Sequence, residues 1–429
     1  MSLKTLLVSR VAASLTSEKR LNRNRTMQES RRQAANAPHV VDYFHDVTDP
    51  YSHLCVQVLP AFLARYDVTL TVHLVNPAPD WAAPERAQLE AYAREDAARL
   101  AARAGLSFDD PGRQPAAEQL QRAAARLAEA IDAGTFVDAA AAISDAAWRG
   151  VLDGASGDAG VLDARLAEGS ARREALGHYL GGTLHYGGEW YWGVDRLHYL
   201  EARLTGLGAS KRGADEGVIF APPVSPSGRA IGPAPAVKPD LHYYLSFRSP
   251  YTYIVAARAR ALADAYGAEL KLRYVLPMVM RGLPVPRMKS RYITFDTARE
   301  ARRLGIPFGK IADPLGKPVE RGYSILPWAR AQGRGYEFCH AFLTGVWSQG
   351  VDAGSDAGLR QIVEAAGLDW PGARQQLETD TWRAEAEANR AEMTSLGVWG
   401  VPSFRVGDVI TWGQDRLWLI EDELRKQAG

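Results

Sequence analysis

The chain has 429 residues, 46% hydrophobic and 24% charged, with a formal net charge of +1. That size and composition predict two or three globular domains with cores of their own, and the near-neutral charge argues against a generally basic nucleic-acid binder. The only cysteines, Cys55 and Cys339, lie in no C-x-x-C or metal-ligand spacing, which excludes a disulfide framework and points to a reducing, cytoplasmic setting.

Residues 1–36 hold eight Lys/Arg against Glu18 and Glu29. They are expected to form a basic N-terminal arm, read as one amphipathic helix. Its apolar run, Leu6-Leu7-Val8, is too short for a signal-peptide core. No stretch of the chain approaches the ~18 apolar residues of a membrane span.

The next segment, 37–207, reads as a domain. Val40–Phe44 predicts a buried strand, Pro50–Tyr66 a helix with Pro60 inside it, and Val68–Val75 an alternating strand. The Ala/Arg/Glu-rich stretch over about 84–178 predicts several helices. Thr183–Tyr186 and Glu189–Trp192 predict a hairpin around Gly187-Gly188, and Asp195–Leu204 a closing helix. Residues 208–240, rich in Pro and Gly, predict a semi-rigid linker. The same plan then runs over 241–429. Leu241–Leu245 is a strand. Ser249 caps a helix that takes Pro250 in its first turn. Leu270–Leu276 is a strand, helices fill about 294–395, and Ser403–Val406 with Val409–Trp412 form a hairpin before a last helix from Asp415.

The two plans share words as well as order. Asp49-Pro50-Tyr51-Ser52 returns 200 positions later as Ser249-Pro250-Tyr251-Thr252, and Asp96-Ala97-Ala98-Arg99 returns as Asp296-Thr297-Ala298-Arg299. Trp192-Gly193-Val194-Asp195-Arg196-Leu197 returns 220 positions later as Trp412-Gly413-Gln414-Asp415-Arg416-Leu417. A repeat this long means two like domains rather than a solenoid array. Strand–helix–strand requires a right-handed parallel crossover, and the hairpin then adds antiparallel strands. The expected fold is α/β, with two tandem thioredoxin-like domains, each carrying a large helical insertion.

Ser249 opens its helix where unpaired N–H groups and the positive end of the dipole favour an anion such as a thiolate. Read alone, it is an N-cap. No histidine or acid beside it supplies an evident base, so its chemistry would be to donate a hydroxyl proton to a sulfur that belongs to a ligand. Gly400-Val401-Pro402-Ser403 reads as a turn entering the hairpin, and its Val-Pro bond is a place for a cis peptide.

Phe247-Arg248-Ser249-Pro250-Tyr251-Thr252-Tyr253, Lys289-Ser290-Arg291-Tyr292 with Asp296 and Arg299, and Gly397–Phe404 running into Trp412–Leu417 together resemble a known family. They are similar to 2-hydroxychromene-2-carboxylate isomerases and kappa-class glutathione transferases, within the DsbA-like thioredoxin superfamily. The resemblance spans nearly all of 241–429 and implies glutathione as cofactor. It makes Ser249 the catalytic residue that hydrogen-bonds the glutathione sulfur, with Thr252 at the position of the second cysteine in DsbA-type oxidases. Val401, before a cis Pro402, would pair with the cysteinyl backbone. Gln414 and Asp415 would hold the γ-glutamyl end, and Lys289 would be a basic group near the site. The substrate would be an electrophilic, aromatic or conjugated small molecule, walled by Tyr251 and Trp399 together with Met278 and Met280.

The first copy departs from this pattern. Asp49 stands in place of Ser249, Gly182 in place of Pro402 and Val194 in place of Gln414. It is therefore read as a degenerate partner that keeps the fold. Two other readings stand beside the enzyme. One is a thiol–disulfide oxidoreductase, opposed by the missing C-x-x-C; the other is a non-catalytic thioredoxin-fold binding protein. No metal, nucleic-acid partner or membrane span is expected. An intramolecular pseudo-dimer of the two domains and a homo-oligomer both stay open.

Overall fold

The computed structural model describes residues 3–155, 157–213, 217–222 and 238–428. Much of the expected linker, 214–216 and 223–237, lies outside the described residues. Two compact units emerge, Arg23–Pro223 and Met1–Asn22 with Val224–Gly429. The arm is two helices rather than one, α1 (Leu3–Thr16) and α2 (Glu18–Ala34). Residues 1–22 belong with the C-terminal unit, so the arm is not a single module.

The N-terminal unit contains β1 (Val40–His45), α3 (Pro50–Arg65), β2 (Thr69–Leu74), α4 (Arg86–Ala104), α5 (Ala117–Asp132), α6 (Phe136–Arg149), α7 (Ala159–Leu176), β3 (Thr183–Tyr186), β4 (Glu189–Trp192) and α8 (Leu197–Gly206). The closing segment starts as a 3-10 turn at Val194–Arg196 before it becomes α-helical. The C-terminal unit contains β5 (Asp240–Leu245), α9 (Pro250–Ala265), β6 (Glu269–Tyr274), α10 (Arg287–Arg303), α11 (Lys317–Ala331), α12 (Gly335–Thr344), α13 (Asp356–Ala365), α14 (Trp370–Gln375), α15 (Trp382–Ser395), β7 (Ser403–Val406), β8 (Val409–Trp412) and α16 (Leu417–Gln427). Its helical stretch begins earlier than 294, so Lys289 falls in the first turn of α10.

Both units hold a four-stranded sheet of the same order, β2-β1-β3-β4 and β6-β5-β7-β8. The first pair in each is parallel and the other two antiparallel. Registers repeat as well. Val40 faces Thr69 as Asp240 faces Glu269, and Asp42 faces His185 as His242 faces Arg405. Central strands β1 and β5 are buried after their first residue, which requires helices on both faces. This is the thioredoxin-like α/β arrangement.

Buried polar bonds recur at the same offsets. Tyr43 Oη donates to the Ser52 carbonyl and Tyr243 Oη to the Thr252 carbonyl, at 3.1 and 2.7 Å. Tyr51 Oη reaches Asp96 and Tyr251 Oη reaches Asp296, at 2.7 and 2.8 Å, which explains why the Tyr and Asp words of the sequence travel together. Tyr66 and Tyr266 donate to Glu201 and Glu421 on the last helices, at 3.3 and 3.2 Å. A buried hydroxyl without a partner is costly, so each bond ties a helix to another part of its unit with specificity that packing alone would not give.

Candidate functional site

Helix α9 begins at Ser249, whose Oγ accepts the Thr252 amide at 3.2 Å while Pro250 occupies the first turn. The same Oγ donates to the Val401 carbonyl at 3.3 Å. The Val401–Pro402 peptide is cis. The half-buried Ser249 hydroxyl thus lies at the electropositive end of a helix, against the backbone segment that leads into β7. Thr252, three residues on, is fully buried, and its Oγ1 has no hydrogen-bond partner among the described residues.

Trp399 lies two residues before Val401. It is buried, it meets Trp412 edge-on at 4.9 Å, and its Nε1 has no partner among the described residues. Arg281 Nη2 donates to the Trp399 carbonyl at 3.3 Å. The ammonium of Lys289 sits 5.8 Å from the centre of the Trp399 ring, and burial draws its pKa down to about 8. Met278 and Met280 are half-buried in the turn after β6. Tyr251 is half-buried too, but its hydroxyl is anchored inwards on Asp296.

Gln414 and Asp415 occupy the 3-10 turn before α16. The Gln414 side chain is buried and committed internally. Its Oε1 accepts from Arg258, and its Nε2 donates to Glu300 at 3.0 Å and to the neighbouring Asp415. Glu300 also pairs with Arg303 at 2.8 Å. Burial lowers the Arg258 pKa, and Asp415 and Glu300 oppose that shift. Gln414 is therefore the centre of an inward-facing network and offers no open amide. Arg258 and Arg281 lie beside no repeated word, and Glu300, although it directly follows the Asp296–Arg299 word, carries no local mark of its role. Arg248 likewise engages Asp313 through two bonds, at 2.9 and 3.0 Å.

Gly400 brings the backbone close to Trp412. A Cβ there would fall 2.2–2.5 Å from three atoms of the indole. Gly400→Ala must push this rigid ring out of its contact with Trp399, an overpacking cost of about 1–3 kcal/mol. The expected result is a lower denaturation midpoint and altered tryptophan fluorescence.

The matching place in the N-terminal unit is built differently. Asp49 caps α3, accepting the Tyr51 and Ser52 amides at 3.1 Å and the Ser52 hydroxyl at 2.9 Å. Gly182 takes a left-handed φ of 59° where the other unit has Pro402. A Cβ there would stand 3.0 Å from Asp49 Oδ2. One main-chain bond is common to both units: Gly193 N–H to the Gly182 carbonyl and Gly413 N–H to the Pro402 carbonyl, each 2.8 Å.

Burial, and then the charge of Asp46, raise the Asp49 pKa to about 7. A carboxyl raised in the folded state stabilises it fully below the unfolded value near ~4. That contribution is lost as pH climbs towards 7. Asp49→Ser keeps a capping oxygen and removes the charge. It is expected to leave α3 unchanged at pH 4 and to stabilise it at pH 8 by about 2 kcal/mol, after allowance for solvent screening. Hydrogen exchange of α3 amides in the full chain measures this.

Both thiols are buried, and burial pushes each well above the ordinary range. Neither can act readily as a thiolate. Among the described residues no cluster of three or more His, Cys, Asp or Glu could hold a metal ion. Among them, too, no helix is long and apolar enough to cross a membrane.

Comparison with known proteins adds a family. Residues 240–425 match the family model of the DSBA-like thioredoxin domain. The 2-hydroxychromene-2-carboxylate isomerase of Sphingobium xenophagum is 26% identical over 196 residues, 43% of this chain and 97% of the relative. The enzyme of the same name from Pseudomonas putida is 24% identical over 192 residues, 42% of this chain and 92% of the relative. A solved 2-hydroxychromene-2-carboxylate isomerase superposes with a TM-score of 0.37 at 23% identity, covering 44% of this chain and 95% of the other. The C-terminal segment, less than half of the chain, is thus a DSBA-like thioredoxin domain.

Proposed function

We propose that the DSBA-like domain binds glutathione at the tip of α9 and uses it to isomerise or conjugate an electrophilic, aromatic small molecule. The observation that carries the reading is the Ser249 hydroxyl, held 3.3 Å from the Val401 carbonyl at a helix N-terminus, in a chain whose own two thiols are both buried. A sulfur working there must come from a ligand. The names of the relatives, 2-hydroxychromene-2-carboxylate isomerases, support the isomerase form of the proposal.

When bound, glutathione supplies a thiolate able to add reversibly to a conjugated carbon. The residues around it have separable tasks. Ser249 turns its proton from the Val401 carbonyl to the sulfur, and the amides of the first turn of α9 favour the anion. Val401 offers its backbone to the cysteinyl unit, as an edge strand pairs with a peptide. Lys289 draws a carboxylate, and Asp415, steadied by Gln414, draws the ammonium. Thr252 and Pro402 shape the floor. Trp399 and the ring of Tyr251 face the apolar part of the substrate. The orphaned Thr252 Oγ1 and Trp399 Nε1 are donors compatible with a polar ligand.

The N-terminal unit is, in this reading, a second thioredoxin-like domain retired from chemistry. A carboxylate at Asp49 repels a thiolate, and its oxygens already take the donors of the helix tip. The absence of C-x-x-C and the burial of both cysteines weigh against thiol–disulfide exchange, and two unpaired cysteines fit a reducing compartment such as the cytoplasm. Calorimetry and thermal unfolding with glutathione test the proposal. Ligand at a hundred times its Kd stabilises the folded form by about 2.7 kcal/mol. If the full chain gives neither heat nor a shift, the proposal fails. Turnover of 2-hydroxychromene-2-carboxylate then separates isomerase from transferase activity.

A further inference from the structure

Helix α1 is docked inside out. Ser9 and Thr16 are buried, at 5% and 7% exposure, while Leu7, Val8, Val11 and Leu15 stand 60%, 54%, 58% and 40% exposed. The inward side is fitted closely. A Cβ on Gly350 would lie 2.3 Å from Ser9 Oγ, and one on Gly309 would lie 2.4 Å from Thr16 Oγ1. Arg302 Nη1 donates to the Thr16 carbonyl at 2.9 Å, and Thr16 Oγ1 donates back to Ala12. A surface helix ordinarily turns its apolar stripe to the core. Here the small polar side is seated on glycines, and Leu7, Val11 and Leu15, one helical turn apart, line the outer face with Val8 beside them.

We propose that this face of α1 lies on the surface of an anionic lipid bilayer. Two observations select that occupant. The stripe is accompanied by exposed cations, Arg10 on α1 itself and Lys19 and Arg20 just after it, against the single acid Glu18 in the first 22 residues. Apolar side chains with Lys and Arg around them suit the headgroup boundary, where the chains enter the acyl region and the cations meet phosphates. A second copy of this chain fits less well. Four aliphatic side chains offer a few hundred Å² at most, against roughly 800 Å² per partner in a standard interface, and self-pairing would bring the cations together. A bilayer needs no matching surface of its own. The helix is too short and too polar to span, so the association is peripheral and reversible.

The test is cosedimentation of the full-length protein with vesicles of phosphatidylcholine alone or mixed with phosphatidylglycerol. The wild type is expected on the mixed vesicles, with binding that falls as salt rises. Leu7→Ser with Val11→Ser should lower the partition coefficient at least about tenfold. Each of Arg10→Gln, Lys19→Gln and Arg20→Gln should lower it about fivefold on the mixed vesicles only. The double variant should unfold at the wild-type temperature, since its new side chains replace water-facing ones. Failure to bind either vesicle, undiminished binding by the double variant, or a lowered unfolding temperature would overturn the proposal. So would a wild-type dimer that the double variant turns into a monomer, which would make the stripe a self-interface.

Discussion

Ser249→Ala should lower kcat/KM with glutathione by about 10- to 100-fold, the range of one hydrogen bond to a charged sulfur at roughly 1.5–3 kcal/mol. It should also raise the thiol pKa of bound glutathione, which the ultraviolet absorbance of the thiolate reports. The same change removes the cap on Thr252, costing about 1 kcal/mol of helix stability, so the kinetic loss alone does not isolate the chemistry. Ser249→Asp does isolate it. Aspartate caps at least as well as serine, and the N-terminal unit shows Asp49 doing so. A carboxylate would nonetheless repel the thiolate. The expected pattern is a stable protein with activity below that of the alanine variant. If Ser249→Asp retains wild-type turnover, the sulfur does not sit at this helix tip. Asp49→Ala, by contrast, should leave activity unchanged, because among the described residues that carboxyl binds only its own helix.

Gly169→Ala should destabilise the N-terminal unit by about 3 kcal/mol or more. A Cβ at Gly169 would lie 2.0 Å from the Leu74 carbonyl oxygen and 3.1 Å from its carbon. The atoms in the way are backbone, bonded into β2, so no rotamer change relieves the clash and α7 must lift from the sheet. That cost exceeds ordinary overpacking, where neighbouring side chains can yield. The other unit solves the same contact in another way. Asn389, 220 positions on, donates its amide to the carbonyl of Tyr274, at 3.1 Å. One unit brings a bare backbone to the strand end, and the other keeps its distance and reaches across. Exchange of β2 amides, followed in the full chain, should rise in Gly169→Ala and stay unchanged in β6.

The strands and the hairpins were legible because their signals are local. Alternation marks β2, and the Gly-bearing turns fix the two hairpins to the residue. The repeated words predicted the order of elements in each half, and the buried Tyr–Asp bonds show what those words hold together. The cap at Ser249 was legible from Ser-Pro at a strand end. The surroundings of Gln414 were not. Its partners Arg258 and Glu300 come from α9 and α10, and nothing local distinguishes a buried, satisfied arginine from a solvated one. Sequence placed Gln414 towards a ligand; the fold turns it inwards. Nor could sequence orient α1, since periodicity reports that a helix has two faces, and only the glycines at 309 and 350 decide which one is seated.

One bond at the joint before each hairpin links main-chain atoms only, Gly193 to Gly182 and Gly413 to Pro402. A linkage without side chains places no demand on which residue supplies the oxygen, and glycine and proline satisfy it equally. If the halves arose by duplication, one could forfeit its proline ring and its serine while retaining the architecture. Giving the N-terminal half the serine and proline of the other then becomes a matter of a few point changes on an intact frame.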